Sequence, residues 1–200
     1  AFIALSTVSA KAVDFGSFSL TAGIGQNTSV WGASGTEKEY NESGLLPEIN
    51  KEHGVFTDDY SSHFIELGLG QYVSIGYEMA SDPIKTPSNV TNEGDAAQQA
   101  TVQVDFNDLT TVYLMGRMGE NLFAKIGYMS VDVVTNETLG TGSTYGDGDM
   151  NGTLIGVGYN NDLSNGMFVR VEGNYMTFDG LTLTATNNAE NQITLNTLEG

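Results

Sequence analysis

The feature that most constrains this chain is a strict alternation of side-chain types over residues 154–178, LIGVGYNNDLSNGMFVRVEGNYMTF. In an extended chain Val169 and Val171 lie on one face, and Arg170 and Glu172 lie on the other. The middle of the stretch is rich in Asn, Asp, Ser and Gly, which favour tight turns. The pattern predicts two antiparallel strands that share one apolar face and one polar face.

Composition limits what such strands can build. The 200 residues suffice for one domain, and without cysteine neither a disulfide framework nor thiol chemistry is available. Lys and Arg number 7 against 25 Asp and Glu, so the net charge of −18 argues against a nucleic-acid partner. No stretch reaches the ~18 apolar residues of a transmembrane helix, but membrane-spanning strands need only about 9–11 alternating residues.

Residues 1–12, AFIALSTVSAKA, differ from the rest of the chain because they are small and apolar and end in Ala-Lys-Ala. This resembles the end of a secretory signal peptide with an A-x-A cleavage site. We therefore predict that residues 1–12 are the tail of a signal peptide and that residues 13–200 form the mature domain. The alternative is an ordinary apolar first strand.

Further alternating segments are separated by connections that are in turn long and short. The predicted strands before the opening stretch are 15–32, 61–69, 72–80, 101–118 and 122–134, and an eighth strand begins at Ile193 and is incomplete. The long connections are 35–60, 81–100, 135–151 and 179–191, which carry most of the acidic residues. Outer-membrane barrels have short turns on one side and long loops on the other. The spacing predicts an all-β, antiparallel, up-and-down transmembrane barrel of eight strands.

Three segments resemble a known family. NLFAKIGY at 121–128, GVGY at 156–159 and NGMFVRVE at 165–172 are similar to strands of the OmpA/OmpX-type and opacity-type eight-stranded outer-membrane barrels. The resemblance covers about residues 13–200. It implies a monomeric, non-enzymatic protein of the bacterial outer membrane that acts as a surface anchor, an adhesin or a very narrow pore. It also implies contact with outer-membrane lipid, lipopolysaccharide, the barrel assembly machinery and an extracellular ligand or cell surface, and it implies no cofactor.

The predicted inner faces carry a set of charged residues, namely Glu66, Glu78, Lys125, Arg170 and Glu172. An eight-stranded barrel is filled by its own side chains, and unpaired charges inside it cost several kcal/mol. We predict a network of ion pairs in the lumen, in which Arg170 bridges more than one acid. The network is expected to be a structural plug, and the alternative is a gate that opens when the pairs exchange.

The predicted outer faces carry apolar and aromatic residues. The residues expected to face lipid are Val73, Ile75, Val112, Ile126, Val157, Val169 and Val171. The aromatic residues expected near the membrane interfaces are Phe18, Trp31, Tyr72, Tyr77, Tyr128, Tyr159 and Tyr175. Asp108 interrupts the apolar face of the fourth strand and indicates either a bulge or a membrane boundary.

Two patterns suggest chemistry, but neither is complete. Asp147, Asp149 and Asn151 match the start of a calcium-binding loop, whereas the position that needs a bidentate Glu is Gly158. His63 has Ser61, Ser62 and Glu66 as sequence neighbours, which leaves open a barrel enzyme that acts on outer-membrane lipid. A soluble, secreted, lipocalin-like protein that binds a small molecule is the other alternative. We predict no catalytic residue and no metal site, and we expect only weak attraction of divalent cations by the acidic loops.

Overall fold

The computed structural model describes residues 9–40, 47–92, 99–138, 143–163 and 166–200. Their regular structure consists of twelve β-strands without a helix. The strands are β1 Ser9–Phe15, β2 Phe18–Tyr40, β3 Pro47–Leu69, β4 Val73–Ala80, β5 Ile84–Lys85, β6 Asn89–Asn92, β7 Gln99–Met118, β8 Leu122–Thr138, β9 Gly148–Asp162, β10 Met167–Phe178, β11 Leu181–Thr184 and β12 Gln192–Glu199.

Eight strands form a closed, barrel-like ring in which every neighbouring pair is antiparallel. Apart from the short β5, β6 and β11, they follow one another in chain order through β2, β3, β4, β7, β8, β9, β10 and β12. β12 closes one end of the seam between β10 and β2, and β1 closes the other end. The prediction of an all-β, antiparallel sheet is therefore confirmed. Residues 1–8 lie outside the described residues, and the assignment of residues 1–12 to a signal peptide stays a prediction.

The register of the strands gives the inclination of the ring. Paired residues lead from Leu20 on β2 around seven strands to Tyr175 on β10. Thr177 on β10 pairs with Glu199 on β12, and Glu199 pairs in turn with Gly32 on β2. Tyr175 lies two residues before Thr177, so it is level with Val30, which lies two residues before Gly32. One turn around the ring thus shifts the register by ten residues, from Leu20 to Val30. With ordinary strand spacings, this shift corresponds to strands inclined by roughly 40° to the axis of the ring.

The interior of the ring has two layers. Near the short turns it is charged, and nearer the long connections it is filled by an aromatic layer. Within this layer Trp31 contacts Phe56 and Phe178 at centroid distances of 6.4 and 6.1 Å, and Phe56 stacks on Phe106 at 6.5 Å. The other apolar side chains buried with them are Tyr60, Ala80, Ile84, Leu109, Met129, Val131, Val133, Met150, Leu154, Met176 and Leu198. Large side chains thus fill the ring, as expected for eight strands.

Gly76 shows how closely the interior is packed. A Cβ atom at this position would lie 2.1 Å from Cζ of Tyr113, which is 2% exposed. Only glycine leaves room on β4 for the Tyr113 ring, which in turn contacts the charged layer.

The sequence-based prediction was wrong about the length of several strands on the side of the long connections. Much of the predicted loop 35–60 is strand, because β2 continues to Tyr40 and β3 begins at Pro47. The predicted loops 81–100, 135–151 and 179–191 likewise contain strand residues. We call residues 33–40 and 47–55 the outer ribbon. β3 is exposed on both faces over residues 48–55, so the apolar alternation that marks a half-buried strand is absent there.

A bulge in β7 reverses the prediction for Phe106. The register shifts between Asn107 and Thr110, and Asp108 has a φ of 52°. The alternation over residues 101–118 alone places Phe106 on the same outer face as Val112, but Phe106 is 5% exposed inside the ring, whereas Val112 is 54% exposed. The extra residue of the bulge exchanges the two faces along the strand.

Trp31 is also placed differently from the prediction. The other six aromatic residues expected at the membrane interfaces are exposed. Trp31 is 2% exposed and points into the aromatic layer, where its Nε1–H donates to Ser29 Oγ at 2.8 Å. Because β2 extends nine residues further to Tyr40, Trp31 is not at a strand end.

Candidate functional site: the charged interior

Five charged side chains from four strands meet inside the ring. They are the predicted lumenal residues Glu66 on β3, Glu78 on β4, Lys125 on β8, and Arg170 and Glu172 on β10. Side chains of a strand alternate between its faces, so these positions project inward while their neighbours project outward. The closed ring brings them together across sequence separations of 47 to 104 residues.

The first half of the network is a bidentate pair. Arg170 Nη1 donates to Glu66 Oε1 at 2.6 Å, and Arg170 Nη2 donates to Glu66 Oε2 at 3.0 Å. Tyr113 Oη donates to the same Glu66 Oε1 at 2.7 Å. Two parallel bonds between ionised groups are stronger and more directional than a single neutral bond. This pair is therefore held in one geometry.

Aromatic rings complete the surroundings of the Arg170 guanidinium. Its Cζ lies 5.0 Å from the ring centroids of Phe64 and Phe123, and 5.1 Å from that of Phe168. Arginine interacts favourably with aromatic faces in addition to its ion pair. Sequence reasoning did not identify these rings as partners, because their proximity depends on which strands become neighbours in the ring.

The second half of the network centres on Lys125. Its Nζ donates to Glu172 Oε1 at 2.7 Å and to Glu78 Oε2 at 3.4 Å. Asn174 Nδ2 donates to Glu172 Oε1 at 2.9 Å, and Ser62 Oγ donates to Glu78 Oε1 at 2.8 Å. The Lys125 side chain is only 1% exposed, so water screens these pairs little.

The predicted role of Arg170 as the bridging cation is wrong in detail. Among the described residues, Glu66 is the acid to which Arg170 donates hydrogen bonds, and the Arg170 Nε atom has no hydrogen-bond partner there. Lys125 bridges two acids instead. Glu66 takes up both ends of the rigid guanidinium fork, whereas the three N–H bonds of an ammonium group can diverge toward separate carboxylates.

The residues predicted to face lipid all point away from the interior. Val73, Ile75, Val112, Ile126, Val157, Val169 and Val171 are between 37% and 62% exposed. One exposed apolar row also crosses seven strands in register, from Leu20 through Leu67, Ile75, Leu114, Ile126 and Ile155 to Tyr175. We call these exposed residues the apolar belt.

Beyond the apolar belt, acidic residues meet around Tyr145. Tyr145 Oη donates to Glu37 Oε1 at 3.2 Å, and the Tyr145 backbone N–H donates to Glu137 Oε2 at 3.1 Å. Burial, with the charge of Glu37, raises the pKa of Tyr145 to about 12. Burial also raises the pKa of the Glu137 carboxyl. The hydrogen bond from the Tyr145 N–H lowers this pKa, and the charge of Glu37 raises it.

The raised pKa of Glu137 gives a pH-dependent prediction. The pKa of Glu137 in the folded chain lies above its unfolded value of about 4.3, so at pH values between the two the native state binds more protons than the unfolded state. The free energy of unfolding therefore falls as the pH rises through this interval. Replacing Glu37 by Gln should lower the midpoint of Glu137, measured by ¹³C NMR titration of its carboxyl carbon. Glu52→Gln on the outer ribbon is the control and should leave it unchanged. An unchanged midpoint in Glu37→Gln would show that Glu37 does not act on Glu137.

The two incomplete sequence patterns have different outcomes. His63 Nδ1 lies 3.2 Å from Ser81 Oγ on the outside of the ring, while Ser62 and Glu66 point inward, so the structure does not bring His63 together with them. Residues 148–151 of the calcium-like segment belong to β9, and Asp147 Oδ1 accepts a bond from Thr135 N–H at 3.1 Å. Among the described residues, no group of three or more His, Asp or Glu side chains is placed to hold a metal ion.

Comparisons with protein families, curated proteins and solved structures found no match for this chain. Within the described ranges, no helix has the length and apolarity to cross a membrane. The resemblance to OmpA/OmpX-type proteins therefore rests on residues 121–128, 156–159 and 165–172. The structural evidence on function is the difference in polarity between the two faces of the ring.

Proposed function

We propose that this chain is a non-enzymatic β-barrel protein of the bacterial outer membrane, with its charged interior acting as a plug. The observation that carries the proposal is the distribution of polarity across the wall. A soluble lipocalin-like barrel would present its polar side chains to water. This ring encloses five charged residues and exposes a continuous row of Leu, Ile and Tyr side chains. Polar inside and apolar outside is the arrangement of outer-membrane barrels.

The network and the aromatic layer support a plugged lumen. The ion pairs occupy one layer of the ring, and Trp31, Phe56 and Phe106 fill the next. Opening a path would require the separation of buried pairs, which leaves charges uncompensated at a cost of several kcal/mol. The barrel is therefore proposed to act as a surface anchor or, if pairs exchange, as a very narrow pore.

The outer ribbon and the acidic connections support a role at the cell surface. The β3 edge of the ribbon, residues 47–55, has no strand partner among the described residues on the side away from β2. Such an edge can receive an extended segment of another molecule. An extracellular ligand or cell surface is the proposed partner of this end, and outer-membrane lipid and lipopolysaccharide surround the belt. We also propose that the barrel assembly machinery inserts this chain into the membrane and that the chain is a monomer.

Site-directed spin labelling tests this function directly, because the chain contains no cysteine. Single-cysteine variants Ile126→Cys, in the apolar belt, and Val55→Cys, in the outer ribbon, are 60% and 75% exposed positions. In lipid vesicles the label at 126 should be accessible to oxygen, which concentrates in the bilayer. The label at 55 should be accessible to a water-soluble nickel complex.

Each of the two alternatives has its own expected outcome. If both labels are accessible only to the nickel complex, while the chain is folded without lipid, the secreted soluble reading replaces the proposal. The alternative of a lipid-modifying enzyme requires hydrolysis or transfer of outer-membrane lipid that is lost in His63→Ala.

A further inference from the structure

A small cavity with both polar and apolar walls lies inside the ring, where the charged layer meets the aromatic layer. Its volume is about 20 Å³, enough for one water-sized sphere, which needs about 10–15 Å³. Its polar walls are formed by Asn27, Tyr60, Ser62, Glu78, Thr111 and Asn174, and its remaining walls are apolar. A cavity of this size and polarity suits a single small guest.

The charges around the cavity do not balance. Glu66 and Arg170 neutralise each other in their bidentate pair. Among the described residues, Lys125 is the cation that forms ion pairs with Glu78 and Glu172, and its Nζ lies 2.7 Å from Glu172 but 3.4 Å from Glu78. Within this group of three side chains one negative charge is therefore left over, and it resides mainly on Glu78, whose side chain is 20% exposed and lines the cavity.

Two buried oxygen atoms nearby lack hydrogen-bond partners. Glu172 is 5% exposed and its Oε2 atom is unpaired, although its Oε1 accepts two bonds. Asn174 lines the cavity and donates through Nδ2 to Glu172, which leaves its Oδ1 atom unpaired. Both atoms can only accept hydrogen bonds or bind a cation. Buried oxygens without a partner are costly, so a donor or a cation placed beside them would stabilise the fold.

We propose that the cavity binds one monovalent alkali cation, Na⁺ or K⁺, with the Glu78 carboxylate as its charged ligand. Neutral oxygens of Ser62 and Asn174 complete the site, since hard cations take oxygen ligands. A monovalent ion cancels the single surplus charge of Lys125, Glu78 and Glu172, whereas a divalent ion would leave this group positive. This inference departs from the sequence-based prediction of no metal site, and it is independent of the membrane role proposed above.

Thermal unfolding of the full chain tests the proposal, in detergent or in buffer according to where the chain folds. The ionic strength is held constant with chloride salts of Na⁺, K⁺ or N-methyl-D-glucamine, a cation too large for the cavity. We expect the Tm in Na⁺ or K⁺ to exceed that in N-methyl-D-glucamine by roughly 5 °C at saturation, with a saturable dependence on concentration.

Two variants locate the effect. Glu78→Gln removes the surplus charge and should abolish the difference between salts, while Glu48→Gln on the exposed outer ribbon should retain it. Equal Tm values in all three salts overturn the proposal, as does a salt difference that persists in Glu78→Gln. A wild-type Tm that changes with pH but not with the cation also overturns it, because a proton would then neutralise the surplus acid.

A measurement on the wild-type chain covers the case in which Glu78→Gln fails to fold. Crystals soaked in Rb⁺ should give an anomalous difference peak beside Glu78, with Ser62 and Asn174 among the nearest residues. Diffraction that is adequate to detect Rb⁺ but shows no peak in the cavity overturns the site.

Discussion

Replacing Arg170 by alanine is expected to lower the free energy of unfolding by about 3–5 kcal/mol. The substitution removes both hydrogen bonds to the buried Glu66 carboxylate, which keeps Tyr113 as its one donor among the described residues. It also removes the contacts of the guanidinium with three aromatic rings. A charge that loses its partner inside a protein costs far more than the pair contributes. Equilibrium unfolding in urea measures the change.

The control for this prediction is a cation in an exposed ion pair. Lys85 Nζ lies 3.8 Å from Asp105 Oδ2, and the Lys85 side chain is 54% exposed. Lys85→Ala should cost about 0–1 kcal/mol, because water screens such pairs. A further variant, Arg170→Lys, keeps the positive charge and loses the bidentate guanidinium. Its decrease in the free energy of unfolding should therefore fall between those of Arg170→Ala and Lys85→Ala. If Arg170→Ala were as stable as Lys85→Ala, the Glu66 pair would not hold the interior together.

Most of the wall of the ring could be predicted from sequence, since its information is local. Each half-buried strand has a period of two, so Arg170 and Glu172 could be assigned to the inside and Val169 and Val171 to the outside without knowledge of their neighbours. The short turns could also be placed, and the structure has glycines with positive φ at Gly70 and Gly119. One face of every such strand is buried, and this determines which alternate residues point into the ring.

Three features escaped prediction for separate physical reasons. The outer ribbon is exposed on both faces over residues 48–55, so these residues lack the alternation that identifies a strand. A bulge at Asp108 was one of two predicted alternatives, but the side on which Phe106 emerges depends on the bulge geometry. The partners of Arg170 and Lys125 depend on strand order and on the register shift around the ring. These are properties of the closed sheet and not of any single strand.

The second large effect is expected from Val171→Arg, which should lower stability in lipid by about 2–4 kcal/mol. Val171 is 37% exposed and lies in the apolar belt, on the face opposite Arg170. In a bilayer a charged side chain at this position must leave water for hydrocarbon, and its long stem relieves only part of that cost. Urea unfolding of the chain in lipid vesicles gives the difference from the wild type.

Val55→Arg is the matched control, because it introduces the same charge at another exposed valine on the outside of a strand. Val55 is 75% exposed in the outer ribbon, which extends beyond the apolar belt, so its replacement should change stability by no more than about 0.5 kcal/mol. The comparison separates the effect of lipid from that of the substitution, since both valines start on exposed strand surfaces. If Val171→Arg costs no more than Val55→Arg, water and not lipid covers the apolar belt, and the soluble alternative gains. A cost confined to Val171→Arg follows only when the belt lies in hydrocarbon, because both positions are exposed in the isolated ring.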